Sequence, residues 1–459
     1  MAFNPVPKHK QFMDPKTQHL LTAKPLPLLL RMAAPSTLAF LVQGSVSLAE
    51  VWFIGQLGSI SLAAIALAFP FLMLTQTLSG GAMGGAVASA IARALGAGDI
   101  HRAEQLIWHA LALGVAGALA LLLLFGLGGQ AFLRLLGGTG DALIQAYAYT
   151  YLLLCGGFLI WSLGITTAIF RGMGNMQLPA AAMMLGALIQ IPLSGSLILG
   201  AFGLPKLGIT GAAVSAIVSG ALVSGILLLQ LRNRSSLVQL RLSALVFSKA
   251  NFQDILKVAL PASLSPLLTV STVLILTALV GTFGDAALAG YGIGSRVEFL
   301  IIPLVFGFGA AMTSMVGMSI GAGNTARAER VAWIGGACAS GIAGVLGILL
   351  ALFPAAWITL FTDDPAVVAS ATAYIQIVGP FFFFQGLGMS LYFASQGASF
   401  MLWPVVATIS RVLLAGFGAI LLAYTLDLGL QGIYYAAAFA MMVYALVIAF
   451  AIRLGAWRR

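Results

Sequence analysis

The pattern Gly96-Ala97-Gly98 followed by Arg102-Ala103-Glu104 returns 225 residues later as Gly321-Ala322-Gly323 and Arg327-Ala328-Glu329. The same offset relates Trp108 to Trp333, Arg171-Gly172 to Gln396-Gly397, and Pro179 to Pro404. An offset of 226 relates Pro35 to Pro261, Gly55 to Gly281 and Gly58 to Gly284. The chain is therefore built twice. Each copy carries an even number of apolar runs, so both copies point the same way. That is the parallel repeat of a transporter whose substrate path lies between two lobes.

The solvent for this duplicated body is lipid. Charged residues make up 7% and apolar residues 61% of the chain, whereas a soluble domain carries about 25% charged residues. Apolar runs of about 20 residues fix the class as membrane-spanning. Hydropathy predicts an all-α polytopic protein of twelve transmembrane helices in two six-helix lobes. The spans run approximately over 27–55, 60–92, 105–128, 142–168, 176–202 and 208–231, then 252–282, 286–320, 331–353, 366–393, 400–424 and 430–452. Residues 27–231 form the N-lobe, 232–250 a linker bearing Arg232, Arg234, Arg241 and Lys249, and 251–453 the C-lobe. Residues 1–26 and 454–459 are polar tails, and the first of them lacks the short apolar core and cleavage site of a signal peptide. The two cysteines, Cys155 and Cys338, sit in apolar runs at non-equivalent repeat positions, which reads as buried thiols and not as a disulfide.

Charge placement predicts the orientation. With the N-terminus inside, 18 of the 22 Lys and Arg residues fall on the cytosolic side, counting Arg31 and Lys257 at the cytosolic ends of spans one and seven. Arg134 and Lys206 fall outside, and Arg296 and Arg411 fall within spans. This is the positive-inside bias, so both termini and the linker are expected in the cytosol of a prokaryote, with the spans in its plasma (inner) membrane. The net charge of +10 then reports topology and attraction to inner-leaflet lipid, not binding of nucleic acid.

Four motifs carry a resemblance. They are Gly96-Ala-Gly-Asp-Ile-His-Arg-Ala-Glu104, Phe170-Arg-Gly-Met-Gly-Asn-Met-Gln-Leu-Pro179, Leu207-Gly-Ile-Thr-Gly-Ala-Ala213 and Tyr291-Gly-Ile-Gly-Ser-Arg296. Together they resemble the multidrug and toxic compound extrusion (MATE) family over residues 27–452. The resemblance implies a monomeric two-lobed exporter that exchanges H⁺ or Na⁺ for amphipathic, often cationic, organic compounds. It implies no cofactor, no metal and no enzymatic activity. No phosphate-binding loop or catalytic triad is present in the sequence to argue otherwise.

Coupling must use polar groups inside the bilayer, where each costs about 2.5 to 3.5 kcal/mol and persists only with a partner, water or a role. Glu50 lies in span one, in Glu50-Val-Trp-Phe-Ile-Gly55-Gln-Leu-Gly58, which resembles a family pattern beginning with Asp. A carboxyl group in a partly dry pocket can load and release a proton, and Pro35 offers span one a bend. The family's DinF-like branch, which this chain resembles, places an Asn and an Asp four apart in span five. Gln190 and Ser194 stand there, so the second carboxylate is missing. The acids that another branch uses in spans seven and ten are matched by Thr269 and Gln385, so that site is not expected.

Glu298 in span eight is the other membrane acid. It is expected either to pair with Arg296 or Arg411 or to serve as a second cation site. Tyr149, Tyr151, Trp161, Gln385 and Tyr392 are candidates to line a substrate cavity through aromatic and polar contacts, with helix packing as the plainer role. Two other functions stand beside the exporter. A lipid or lipid-linked saccharide flippase would be expected to carry more spans and a cationic cavity. A non-transporting scaffold would have no use for a duplication around a buried acid.

Overall fold

A computed structural model describes residues 14–233 and 236–458. Residues 1–13 of the amino-terminal tail, Arg234 of the linker and Arg459 lie outside the described residues. Among the described residues there is no strand. Eleven helices are long and apolar enough to cross a membrane, and a bent pair supplies the twelfth span.

In chain order, α1 (Pro15–Thr22) precedes α2 (Pro25–Gly55). The second span is α3 (Ser59–Gln76), a π-helical stretch Thr77–Met83 and α4 (Gly84–Gly96). Then come α5 (Ile100–Leu135), the bent pair α6 (Gly140–Cys155) and α7 (Gly157–Gly172), α8 (Gln177–Leu199) and α9 (Ile209–Arg232). The second repeat opens with α10 (Lys249–Gly281), and its next span is broken into α11 (Asp285–Ser295) and α12 (Glu298–Gly321). It continues with α13 (Thr325–Leu352), the short α14 (Ala355–Ile358) and a span made of α15 (Pro365–Val378) and α16 (Phe382–Ala398). It closes with α17 (Leu402–Ile420) and α18 (Gly429–Arg453). These elements follow the hydropathy reading to within a few residues, because with no water in the bilayer core each backbone group must be satisfied inside its own helix.

Among the described residues the chain forms two compact units, one of residues 14–22 with 38–259 and one of residues 23–37 with 260–458. Two of the three changes of unit occur inside a helix. In α2 the change comes two residues after Pro35, and in α10 it comes one residue before Pro261. These compact units therefore do not share boundaries with the repeats, whose seam is the linker.

The duplicated Gly-x-Gly…Arg motifs explain how each leading helix is held. Asp99 caps α5 by accepting from the Arg102 N–H at 2.9 Å, and Asn324 caps α13 by accepting from the Arg327 N–H at 3.0 Å. The guanidinium of each capped arginine then reaches the start of the other repeat. Arg102 Nη2 lies 2.9 Å from Asp254 Oδ2 near the start of α10, and Arg327 Nη2 donates to the Ala23 carbonyl just before α2 at 2.8 Å. Asp254, itself buried, also pairs with Arg93 at 2.8 Å and Lys257 at 2.9 Å. Arg93 and Arg102, which the sequence reading counted only toward orientation, thus also hold Asp254.

Candidate functional site

Glu50 lies one turn before Phe53 and Ile54 on α2, and Gln190, Ser194 and Gly195 share one stretch of α8. Gly195 makes the approach feasible: a Cβ there would sit 2.7 Å from the Phe53 ring, so only a glycine leaves room for that ring. Gln190 Nε2 donates to Glu50 Oε1 at 2.9 Å. One turn further along α8, the Ser194 hydroxyl is fully buried and has no hydrogen-bond partner, although it lies close enough to interact with the Glu50 carboxyl. Tyr149 of α6 is buried within the electrostatic reach of the same carboxyl. The structure thus brings Glu50, Gln190 and Ser194 together inside one unit, the positions to which the family resemblance pointed, with Tyr149 beside them.

This geometry has two chemical states. An ionised carboxylate only accepts, from the Gln190 amide and, after a small rotation, from the Ser194 hydroxyl. A protonated carboxyl gains an O–H donor, for which the unpaired Ser194 oxygen is an acceptor.

The other unit holds a different acid. Glu298 is the first residue of α12, where the break in the span exposes a helix amino terminus that favours negative charge. Its Oε1 accepts from the Tyr374 hydroxyl at 3.3 Å. The ion pair expected at this place is not formed as a contact pair among the described residues. Arg296 is exposed and lies over the Phe361 ring, 5.7 Å from its centre. Arg411 is buried over the Tyr444 ring, also at 5.7 Å, and its charge reaches Glu298 only across a gap. The tyrosine hydroxyl takes the acceptor that the guanidinium would have used. Tyr374 could have been suspected from its place in an apolar span, but nothing in the spacing singled it out from the other tyrosines.

The remaining cavity candidates fall in separate places. Trp161 is buried where a Cβ on Gly117 would meet its ring at 2.2 Å, so it packs into the surface of α5, and its indole N–H has no partner. Tyr151 is exposed and stacks on Tyr147 at 5.8 Å. Gln385 is buried and turns its amide to the Met389 sulfur at 3.4 Å, while its Oε1 is unpaired. The Tyr392 hydroxyl donates to the Ala262 carbonyl at 3.2 Å, beside Pro261.

The sequence profile of the MatE family matches residues 35–194 and 261–424, two stretches that begin at Pro35 and at its repeat mate Pro261. The chain belongs to the MATE family. A protein named "Probable multidrug resistance protein NorM" from Thermotoga maritima is 27% identical over 380 residues, covering 83% of this chain and 82% of the relative. A protein named "FAD transporter" from Shewanella oneidensis is 27% identical over 388 residues, covering 83% of this chain and 84% of its own. A solved structure of MATE in the straight conformation superposes with a TM-score of 0.88 at 26% identity, spanning 97% of this chain and all of that one. As a MATE protein the chain is a multi-pass membrane transporter of the multidrug-efflux type and not an enzyme.

Proposed function

We propose that the chain is an H⁺-coupled exporter of amphipathic organic compounds in a prokaryotic inner membrane, working by alternating access with Glu50 as the proton carrier. The observation that carries this reading is the contact between Glu50 and Gln190 beside the unpaired Ser194 hydroxyl. Hard cations are bound by several oxygen atoms at once. Here one carboxylate oxygen is already occupied by an N–H donor, and the second acid of the family pattern is replaced by Ser194, so the donor set suits a proton better than Na⁺. Proton uptake would discharge α2 and let the Glu50 carboxyl donate to the Ser194 oxygen from which the ionised form can only accept, and α2 leaves one compact unit for the other near Pro35, where a helix bends most readily.

The test is transport in proteoliposomes under H⁺ and Na⁺ gradients imposed separately. An outward flux of a fluorescent cationic dye should follow the H⁺ gradient alone, and Glu50→Gln should reduce it by about tenfold or more, as expected on removing the sole titrating group of a coupling step. A Na⁺-driven flux that survives Glu50→Gln would overturn the reading. Arg411 favours a second substrate class, since a buried guanidinium without a contact carboxylate can receive an anionic group. The relative named FAD transporter makes a flavin nucleotide the natural anion to assay. Inhibition of dye export by that anion, lost in Arg411→Gln, would establish this class.

A further inference from the structure

The linker between α9 and α10 is short, apolar on its outer side and tied down. Leu242 is 76% exposed, and Leu245, Val246 and Phe247 are exposed beside it, while Val238 and Ala244 are buried underneath. Arg241 and Lys249 flank these four apolar side chains and are themselves exposed. Four contacts fix the segment to α5. The Trp108 indole N–H donates to the Arg241 carbonyl at 2.9 Å, and the Gln239 N–H donates to Glu104 at 3.3 Å. The Arg241 guanidinium lies 3.6 Å from the same Glu104 carboxylate. The Ser248 N–H donates to His109 Nε2 at 2.9 Å, which requires the other ring nitrogen to donate to the Gln105 carbonyl, and Phe247 and Phe252 pack edge-on against that imidazole.

The place of these contacts along α5 sets their depth. Its 36 residues extend about 54 Å, whereas the hydrocarbon layer is about 30 Å thick, so part of α5 stands outside that layer, and the polar His101, Arg102, Glu104 and Gln105 put its first turns there. Glu104 to His109 occupy its second and third turns, the stretch that crosses the headgroup zone. An indole such as Trp108 is at home there. Among the described residues, Leu242, Leu245 and Val246 stay exposed at that level, as does Phe247 on the side away from His109 and Phe252, and a patch of this kind facing water is uncommon.

We propose that residues 241–249 form a membrane-interface anchor, with Leu242, Leu245, Val246 and Phe247 seated among the acyl chains of the cytosolic leaflet and Arg241 and Lys249 at anionic headgroups. Apolar side chains backed by Lys or Arg are the two terms that hold a segment in this plane. The leaflet named rests on the orientation proposed above, but the anchoring does not. Because Asn251 and Asp254 follow directly, the anchor steadies the end of α10 that Arg102 grips.

The test uses the full chain with Cys155→Ser and Cys338→Ser. An environment-sensitive fluorophore is attached after Leu242→Cys, Val246→Cys or, as a loop control, Asp363→Cys, and each protein is placed in vesicles of phosphatidylglycerol and phosphatidylethanolamine. Lipid brominated on the acyl chains in both leaflets should lower emission at 242 and 246 about twofold, the depth expected of an interfacial segment, and leave 363 unchanged. Aqueous iodide should do the reverse. Arg241→Gln with Lys249→Gln should weaken the lipid quenching in these vesicles and not in phosphatidylcholine. Equal iodide quenching at all three sites overturns the proposal. So does shielding from iodide that persists in detergent and grows with protein concentration, which would mean that a second copy covers the patch. Since quenching does not read transport, its failure leaves the exporter reading standing.

Discussion

At the scale of single residues the two membrane acids have different neighbours and so different expected behaviour. Glu50 faces an amide donor and an empty hydroxyl acceptor, a setting in which side-chain length matters less than the presence of a titrating oxygen. Glu50→Asp should therefore keep coupled export within about tenfold of the wild type, and Gln190→Ala should slow it without abolishing it, as the loss of one hydrogen bond of about 1 kcal/mol would. Measured dye flux under an H⁺ gradient checks both. Glu298 accepts from Tyr374, and Arg411 does not touch it. A buried contact pair loses about 3 to 5 kcal/mol when one partner is removed. For a charge held off by a tyrosine, the double-mutant cycle of Glu298→Gln with Arg411→Gln should return a coupling of only about 0.5 to 1 kcal/mol in thermal unfolding. A coupling near the larger figure would mean that the two side chains close into a contact pair in another state of the transporter.

At the scale of elements, two helix starts show what the sequence disclosed and what it withheld. Leu207-Gly208-Ile209-Thr210-Gly211 opens α9, and Leu428-Gly429-Leu430-Gln431-Gly432 opens α18. Gly208 and Gly429 turn the chain at φ of 61° and 55°, a left-handed conformation that other residues adopt at a cost. One turn later a Cβ on Gly211 would lie 2.7 Å from the Leu197 carbonyl carbon, and one on Gly432 equally close to that of Leu422. Because each obstacle is backbone, it cannot rotate away. Gly211→Ala and Gly432→Ala should each destabilise the protein by about 1 to 3 kcal/mol. Gly225→Ala, which meets open space on the same α9, should be neutral or slightly stabilising. Thermal shifts in detergent would separate them, and equal behaviour of Gly211→Ala and Gly225→Ala would contradict the packing argument. The twelve spans were legible because lipid tolerates only continuous apolar helices. The breaks at Gly156 and at Arg296-Val297, and the π-helical stretch at Thr77–Met83, were not. Glycines there permit a break, but whether one forms is decided by neighbours from distant parts of the chain, such as the Arg171 guanidinium that reaches the Gly80 carbonyl at 3.5 Å.

At the scale of the whole molecule the duplication was legible from spacing alone, and the family profile matches the chain twice at that same spacing. The crossing of α2 and α10 between compact units was not, since no local pattern reports which half of a helix packs on which body. Of the candidate site, Glu50 and Gln190 were both singled out by the family resemblance, while their contact is a finding of the tertiary structure. The Tyr374 partner of Glu298, the Asp254 cluster and the α5 contacts of the linker required tertiary structure. Orientation is the property of the whole chain that most needs a direct measurement, because the sidedness of proton uptake and of drug release follows from it. Eighteen of 22 cations fall on one side of the spans or at the ends of spans one and seven that face it, and each cation near the anionic leaflet contributes about 1 kcal/mol to keeping it there. Cys155 is exposed and Cys338 half-buried, not buried as their apolar runs suggested, so in a background lacking both a cysteine at Ser59, between the first two spans, should react with a membrane-impermeant maleimide in intact cells. A cysteine at Ser236, in the linker, should react only after the cells are opened. Labelling of Ser236 with Ser59 protected would invert the topology and, with it, the direction of export.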